Sequence, residues 1–124
     1  MTACREHSLE FNTNNLMAVW VHPSPGAPSG VCRQWLGCYS IHLRPGARFP
    51  YRQIVPHSAG ARITRRGVRV HDIILNDPGQ SLLWLFGHEF FHYLTWTGQI
   101  SRPDTEQQAN LYGLEVLNKH KGKL

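Results

Sequence analysis

The feature that most constrains this chain is the segment His88-Glu89-Phe90-Phe91-His92, which has the pattern H-E-x-x-H. On an α-helix, residues four apart lie on the same face, one turn from each other. His88 and His92 can therefore direct their imidazoles at one metal ion, with Glu89 beside them. This arrangement suits a zinc hydrolase, in which two histidines bind the metal and the glutamate is the general base for a zinc-activated water.

Signals at both ends of the segment indicate a helix. Asp77, Pro78 and Gln80 are typical of a helix start, because they supply an N-cap, a proline in the first turn and the glutamine of a capping box. Gly98 is typical of a helix end. We therefore predict a helix from about Pro78 to about Trp96, with the H-E-x-x-H pattern in its second half.

A zinc hydrolase needs a third protein ligand. The metzincin pattern is excluded, because Thr95 and Gly98 occupy the positions where it requires a glycine and a histidine. The only histidine beyond His92 is His120, which lies in a basic tail that would hold it loosely. Glu106 is the better candidate for the third ligand.

Glu106 lies in the first turn of a second helix, predicted from about Thr105 to Asn118 with Asp104 as its N-cap. The break at Gly98 allows this helix to fold back on the first and to place Glu106 opposite the two histidines. Asn110 lies one turn after Glu106 and could accept a hydrogen bond from the far ring nitrogen of a ligating histidine.

Two small residues of the second helix, Ala109 and Gly113, would permit a close approach of the two helices. The alternative interpretation is that Glu106 and Asn110 are ordinary exposed polar residues near a helix start. The H-E-x-x-H pattern upstream favours the ligand interpretation.

Together, the pattern from His88 to His92 and the later segment Glu106-Gln107-Gln108-Ala109-Asn110-Leu111-Tyr112 resemble a gluzincin. They are similar in particular to the ImmA/IrrE-type metallopeptidases and to the very small minigluzincins, which pair H-E-x-x-H with a downstream E-x-x-A-N-like helix. The resemblance covers about residues 70–117. It implies a twisted β-sheet packed on an active-site helix and a glutamate-bearing helix, and zinc-dependent cleavage of peptide bonds, often in regulatory proteins.

Two positions depart from that pattern. Phe90-Phe91 replaces the small residue that commonly precedes the second histidine, so a bulkier cleft wall is expected. Asn110 stands where thermolysin-like relatives have an aspartate, and a neutral amide raises the basicity of a ligating histidine less than a carboxylate does.

We therefore expect a zinc-dependent endopeptidase in which His88, His92 and Glu106 hold the metal. Glu89 would take a proton from the zinc-activated water and return it to the leaving amine. A further side chain would help to hold the oxyanion. The candidates, among which the sequence does not choose, are Tyr93, Tyr112, His71 and His120. The expected partner is a peptide or protein substrate.

The residues before Asn76 are rich in β-strand patterns. Strands are predicted at Leu16–Val21, Val31–Leu43 and Val68–Leu75. Gly37 indicates either a bulge in the second of these or two shorter strands. The third is a candidate sheet edge to which an extended peptide could add.

The remaining N-terminal segments carry weaker signals. We predict a short helical turn at Ser8–Phe11 and irregular structure over residues 47–61. Together with the two C-terminal helices, these elements favour an α+β fold in one minimal zincin-like domain spanning residues 1–124.

Composition limits the other functions. The chain has 124 residues, a net charge of +5 and three cysteines, which we expect to be reduced thiols. No apolar run approaches a membrane span and the N-terminus has no apolar signal segment, so we expect no membrane association and a cytoplasmic location. An arginine cluster leaves nucleic acid as a minor possibility: Arg62, Arg65, Arg66 and Arg69.

Two alternatives stay open. The first is a non-catalytic, zinc-stabilised regulatory or binding domain. The second is a metal-free α+β module in which the H-E-x-x-H pattern arose by chance.

Overall fold

The computed structural model describes residues 2–56, 62–63, 65–67 and 69–123, and has the α+β architecture expected from the sequence. The helices are α1 (Thr2–Ser8), α2 (Pro78–Trp96) and α3 (Glu106–His120), followed by a 3₁₀ turn at Lys121–Lys123. The strands are β1 (Leu16–Val21), β2 (Ser29–Trp35), β3 (Cys38–Arg44), β4 (Tyr51–Pro56), β5 (Arg62–Ile63) and β6 (Arg69–Leu75).

These strands form two three-stranded sheets, where the resemblance implied one. The first sheet has the order β1-β3-β2, with β1 parallel and β2 antiparallel to β3. The second has the order β4-β6-β5, and both of its pairings are antiparallel. Both outer strands of the first sheet, β1 and β2, are therefore edge strands within the described part of the chain.

The first sheet resolves one of the sequence alternatives. The segment Val31–Leu43 is divided between β2 and β3, so the prediction of two shorter strands is the correct one. Leu36 and Gly37 form the turn between them and have φ values of 48° and 79°. Two successive positive φ angles are typical of a tight hairpin turn, and glycine favours that conformation.

The second sheet corrects two predictions. Residues 47–61 were expected to be irregular, but Tyr51–Pro56 is a strand in which Val55 is buried while Arg52 and Ile54 are exposed. The flanking prolines hid this short alternation. The segment Val68–Leu75 is β6 from Arg69 onward, but it pairs with β4 on one side and with β5 on the other, so it is not a sheet edge.

The N-terminal helix also differs from its prediction. The helix covers Thr2–Ser8, whereas the turn was predicted at Ser8–Phe11. Ala3, Cys4 and His7 are buried, so α1 contributes one face to the core and contacts α2.

The long helix α2 lies at the centre of the molecule. Its bounds, Pro78–Trp96, are those predicted, and Asp77 caps it by accepting a hydrogen bond from the Gln80 backbone N–H at 2.9 Å. Most of its side chains are buried, which is typical of a helix covered on several sides. It contacts β2 and β3 on one side and α3 on another.

Helices α2 and α3 approach most closely at two glycines. A Cβ on Gly87 would lie 2.9 Å from the Gly113 Cα, and a Cβ on Gly113 would lie 2.8 Å from the Trp84 carbonyl oxygen. Real Cβ atoms are not found at such distances from backbone atoms. The close approach expected at Gly113 is thus confirmed, and it brings the first turn of α3 to the histidine face of α2.

The loop between the two helices is held by Arg102. Its guanidinium lies 5.4 Å from the centre of the Phe91 ring and 5.7 Å from that of Tyr112, and it donates to Glu115 at 3.0 Å. Thr105, and not Asp104, is the N-cap of α3.

Among the described residues, no helix combines the length and the apolar character needed to cross a bilayer.

Candidate metal centre

Three predicted ligands converge at the contact between α2 and α3. His88 Nε2 lies 3.0 Å from one carboxylate oxygen of Glu106, and His92 Nε2 lies 3.1 Å from the other. One donor atom from each of the three residues lies within 4.8 Å of the other two. The two imidazoles come from successive turns of α2 and the carboxylate from the first turn of α3. This group could hold a metal ion.

The hydrogen bonds of His92 determine which of its nitrogens is available. Its Nδ1 donates to Asp104 Oδ1 at 2.8 Å, so Nε2 is the nitrogen without a proton in the neutral ring. The Trp96 indole donates to the other oxygen of Asp104 at 2.7 Å, and its ring lies against His92 with centroids 5.7 Å apart. Although partial burial opposes it, hydrogen bonds from His92 and Trp96 hold the pKa of Asp104 below its usual value.

His88 is largely buried. Burial lowers its pKa, whereas the charge of Glu106 and the nearby side chain of Asn110 oppose that lowering. The ring Nδ1 is nevertheless buried without a hydrogen bond of good geometry. The Asn110 side chain thus lies near the His88 ring but makes no hydrogen bond to Nδ1, so the described contacts do not fix the tautomer of this ring.

These contacts provide a test of whether the residues fit a cation. The lone pair of His92 Nε2 faces a carboxylate oxygen of Glu106, and His88 Nε2 faces the second oxygen. At His92, where Nδ1 carries the proton of the neutral ring, Nε2 and the carboxylate oxygen are both acceptors, and they repel each other unless a proton or a cation lies between them. A cation satisfies all three groups at once, so the donor set fits a metal ion.

Glu89 lies next to this group without being part of it. The side chain is 5% exposed, and Oε1 lies 3.7 Å from His88 Nε2. The second carboxylate oxygen is buried without a hydrogen-bond partner. Burial raises the pKa of Glu89 to about 7, with His92 opposing the shift and the Glu106 carboxylate adding to it.

The backbone of β2 forms the opposite wall of the site. A Cβ on Gly30 would lie 3.1 Å from the Glu89 Cγ, so a glycine here lets the strand pass close to the carboxylate. Gly30, Val31 and Cys32 line an open cleft of about 480 Å³ together with the three ligands. A larger cavity of about 560 Å³, between α1 and β1, contains none of the ligands.

The cysteines are free thiols. Cys32 is the one that lines the cleft, but it is not among the converging ligand atoms. Burial, with the negative charges of Glu89 and Asp104, raises the pKa of Cys32 to about 12, so it is a neutral thiol at physiological pH.

The proposed oxyanion stabilisers are not brought to the cleft. The Tyr93 hydroxyl donates to the Asn12 carbonyl at 2.8 Å. The Tyr112 hydroxyl lies 2.6 Å from His7 Nε2, and His120 lies on the other nitrogen of the same ring. Tyr112 and His120 thus join α1 to α3, while Tyr93 bonds the segment that follows α1; none of the three lines the cleft. The His71 side chain lies outside the described residues.

Sequence reasoning missed three residues of the site. Asp104 was assigned as a helix cap, Trp96 as the last helical residue, and Gly30 lay just before the predicted strand Val31–Leu43. For Asp104 only a general expectation was available, since ligating histidines commonly donate their second ring N–H to a carboxylate. No local signal distinguishes Gly30 from the other glycines of the chain.

Of the arginine cluster, Arg65 and Arg66 are exposed, while the side chains of Arg62 and Arg69 lie outside the described residues.

Comparison with protein-family models, with curated proteins and with solved structures found no significant match.

Proposed function

We propose that this protein is a zinc-dependent endopeptidase of the gluzincin type. The observation that carries the proposal is the buried, unpartnered carboxylate oxygen of Glu89 beside a convergent His-His-Glu group in an open cleft. A purely structural metal site needs only the ligands. A carboxylate kept without a partner costs stability, and a hydrolase requires one as its base.

Zinc is the metal proposed because two imidazoles and one carboxylate are the donor set of several catalytic zinc sites. When bound, zinc would polarise a substrate carbonyl and lower the pKa of a water molecule. His92, held by Asp104, and His88, beside Asn110, would present their Nε2 atoms to the ion.

Glu89 would carry the proton through the reaction. Its free oxygen would take a proton from the attacking water as the new C–O bond forms at the peptide carbonyl. It would return that proton to the leaving nitrogen as the C–N bond breaks, giving a carboxylic acid and an amine. The raised pKa of Glu89 suits a group that must both accept and release a proton near neutral pH.

The free edge of β2 supports a peptide as the substrate. β2 pairs only with β3 among the described strands, and its residues Gly30 to Cys32 line the cleft. An extended peptide could pair with this edge by main-chain hydrogen bonds and pass over the three ligands. β2 therefore replaces Val68–Leu75 as the expected peptide-binding strand.

One observation favours the alternative, a non-catalytic zinc-stabilised domain. Apart from the ligands, the described lining residues include one side-chain hydrogen-bond donor of a suitable type, the Trp96 indole, and Asp104 already accepts its proton. No described side chain is thus in place to stabilise an oxyanion.

The experiment that decides between them compares wild type, Glu89→Gln and a control, Glu10→Gln. Each zinc-loaded protein is analysed for metal content and incubated with a diverse peptide library, with a chelated sample of each, and the products are identified by mass spectrometry. We expect one zinc per chain in all three, with cleavage by wild type and Glu10→Gln but not by Glu89→Gln.

Three results would count against the proposal in different ways. Cleavage by Glu89→Gln at the wild-type rate would refute its role as base. Stoichiometric zinc without cleavage by any variant would support the zinc-stabilised domain. Zinc far below one equivalent in wild type would support the metal-free module.

A further inference from the structure

The second free edge of the first sheet, β1, has few of the features that normally protect an edge strand: its register with β3 is irregular between Leu16 and Ala18, and regular from Ala18 to Val21. Its six residues, Leu16–Val21, include no charged residue and no proline. It pairs only with β3 among the described strands. Natural proteins usually place lysine, proline or a covering segment at such an edge, because unpaired backbone groups beside apolar side chains attract another strand.

The pairing with β3 establishes which backbone groups of β1 are open. The His22 N–H donates to the Leu43 carbonyl at 2.8 Å, so His22 directs its peptide groups towards β3. Successive residues of a strand direct these groups to opposite sides, so Trp20 also faces β3. The N–H and C=O groups of Val19 and Val21 therefore face the open edge.

The side chains of the same residues border a groove that is apolar along β1 and has Arg5 and Ser8 on its α1 side. Val19 and Val21 lie opposite Ile41 and Leu43 in the register, and therefore on the face that packs against α2. Ile41 and Leu43 are fully buried, but Val19 is 41% and Val21 is 51% exposed, because the helices do not extend over β1. With Met17 they line the cavity of about 560 Å³ between α1 and β1.

The open backbone and the groove require the same occupant: an uncharged strand with apolar residues at alternate positions. β1 itself meets this description. We propose that two copies of this chain form a two-fold dimer in which β1 pairs antiparallel with β1 of the second copy, centred on Val19.

The residues that such a pairing would bring together are complementary. With Val19 opposite Val19, Met17 would lie near Val21 of the second copy. Met17 stands at the irregular step of β1, and its flexible thioether can fill the uneven space there. On the other face Ala18 meets Trp20, which places a small residue opposite a large, 55% exposed one. Since β1 has no charges, the strand pairing itself places no like charges opposite each other; the charged residue that lines the groove is Arg5, on α1.

A two-fold contact needs only one self-complementary surface, which this strand provides. The dimer also leaves the metal centre accessible, because the cleft lies at β2, on the opposite edge of the sheet. The proposal does not depend on the proposed function.

Sedimentation equilibrium on the full chain, at several concentrations, tests the assembly. We expect the wild type to approach twice the chain mass of 14.2 kDa. Val19→Lys would place two lysines opposite each other at the two-fold axis, so we expect the mass of one chain and a dissociation constant at least about ten-fold weaker. The control, Trp35→Lys, makes the same change of charge at a 76% exposed residue of β2 and should leave the dimer intact.

Hydrogen exchange on the wild type provides a test that does not depend on the folding of a variant. The amides of Val19 and Val21 should exchange more slowly as the protein concentration rises, whereas that of Trp20, bonded to β3, should not change. A wild type that is monomeric at every soluble concentration would overturn the proposal. So would a Val19→Lys dimer of unchanged stability, or a dimer in which the amides of Val19 and Val21 stay unprotected.

Discussion

The contact between Gly87 and Gly113 determines how closely α3 approaches the histidine face, and Gly113→Ala tests its importance. The added methyl group would lie 2.8 Å from the Trp84 carbonyl oxygen and 3.2 Å from the His88 backbone nitrogen. Both are backbone atoms of α2, so neither can turn away. The two helices must separate by roughly 0.5 Å or more to restore normal contact distances.

The expected magnitudes follow from this separation. Overpacking of a well-packed contact costs about 1–3 kcal/mol, and alanine regains about 1 kcal/mol of helix propensity over glycine. The metal-free protein should thus lose about 0–2 kcal/mol of unfolding free energy. Glu106 lies two turns before Gly113 on the same helix face, so it should move away from the histidines and weaken zinc binding by about ten-fold.

The measurements are urea unfolding of the metal-free protein and zinc titration against a competing chelator. Gly122→Ala is the matched control, because its Cβ would meet no atom within 4 Å outside the adjacent backbone. We expect that control to bind zinc like the wild type. If Gly113→Ala is more stable than the wild type and binds zinc within about two-fold of it, the helix contact does not position Glu106.

Three further predictions follow from other contacts. The Asp104 carboxylate accepts hydrogen bonds from His92 and Trp96, and in Asp104→Asn an amide N–H₂ would face one of these two donors. Zinc affinity should therefore fall about 10–100-fold. An unchanged affinity in the chelator competition would show that His92 does not need this partner. Burial lowers the pKa of His7 to about 4; Glu10 opposes this shift, and the charges of His120 and Lys119 add to it. As the pH falls, the unfolded chain therefore binds a proton at His7 before the folded chain does. The stability contributed by neutral His7 is therefore complete above pH ~6.5 and lost towards pH ~4, by up to about 3 kcal/mol, and urea unfolding of metal-free His7→Asn should lack this part of the pH dependence. Arg102→Met keeps part of the packing on Phe91 and Tyr112 but loses the bonds to Glu115 and Gln108, and should lower the unfolding free energy by about 1 kcal/mol; a Glu115→Gln variant that loses as much would attribute the effect to the ion pair alone.

The helical half was predictable because its signals are local. Asp77, Pro78 and Gly98 mark the ends of α2 within one or two turns of themselves, and the observed helix has the predicted bounds. The face shared by His88 and His92 follows from helix geometry alone. Glu106 could be selected because one short loop leaves α3 few positions other than alongside α2.

The N-terminal half was less predictable because its strands depend on distant partners. Tyr51–Pro56 is short and flanked by prolines, and it becomes a strand only because β6 pairs with it. The position of β6 between two neighbours could not be inferred either, since the same alternation suits an edge or an internal strand.

The sequence by itself determined the helix that carries His88, Glu89 and His92, because spacing and capping act over a few residues. Only the tertiary structure decided what surrounds that helix. It brings Asp104 to His92, Gly30 of β2 to Glu89, and a free strand edge to the cleft. Each of these contacts joins residues of different segments, and no periodic pattern in the sequence links those segments. The contacts therefore follow from the packing of the whole chain and not from local residue patterns.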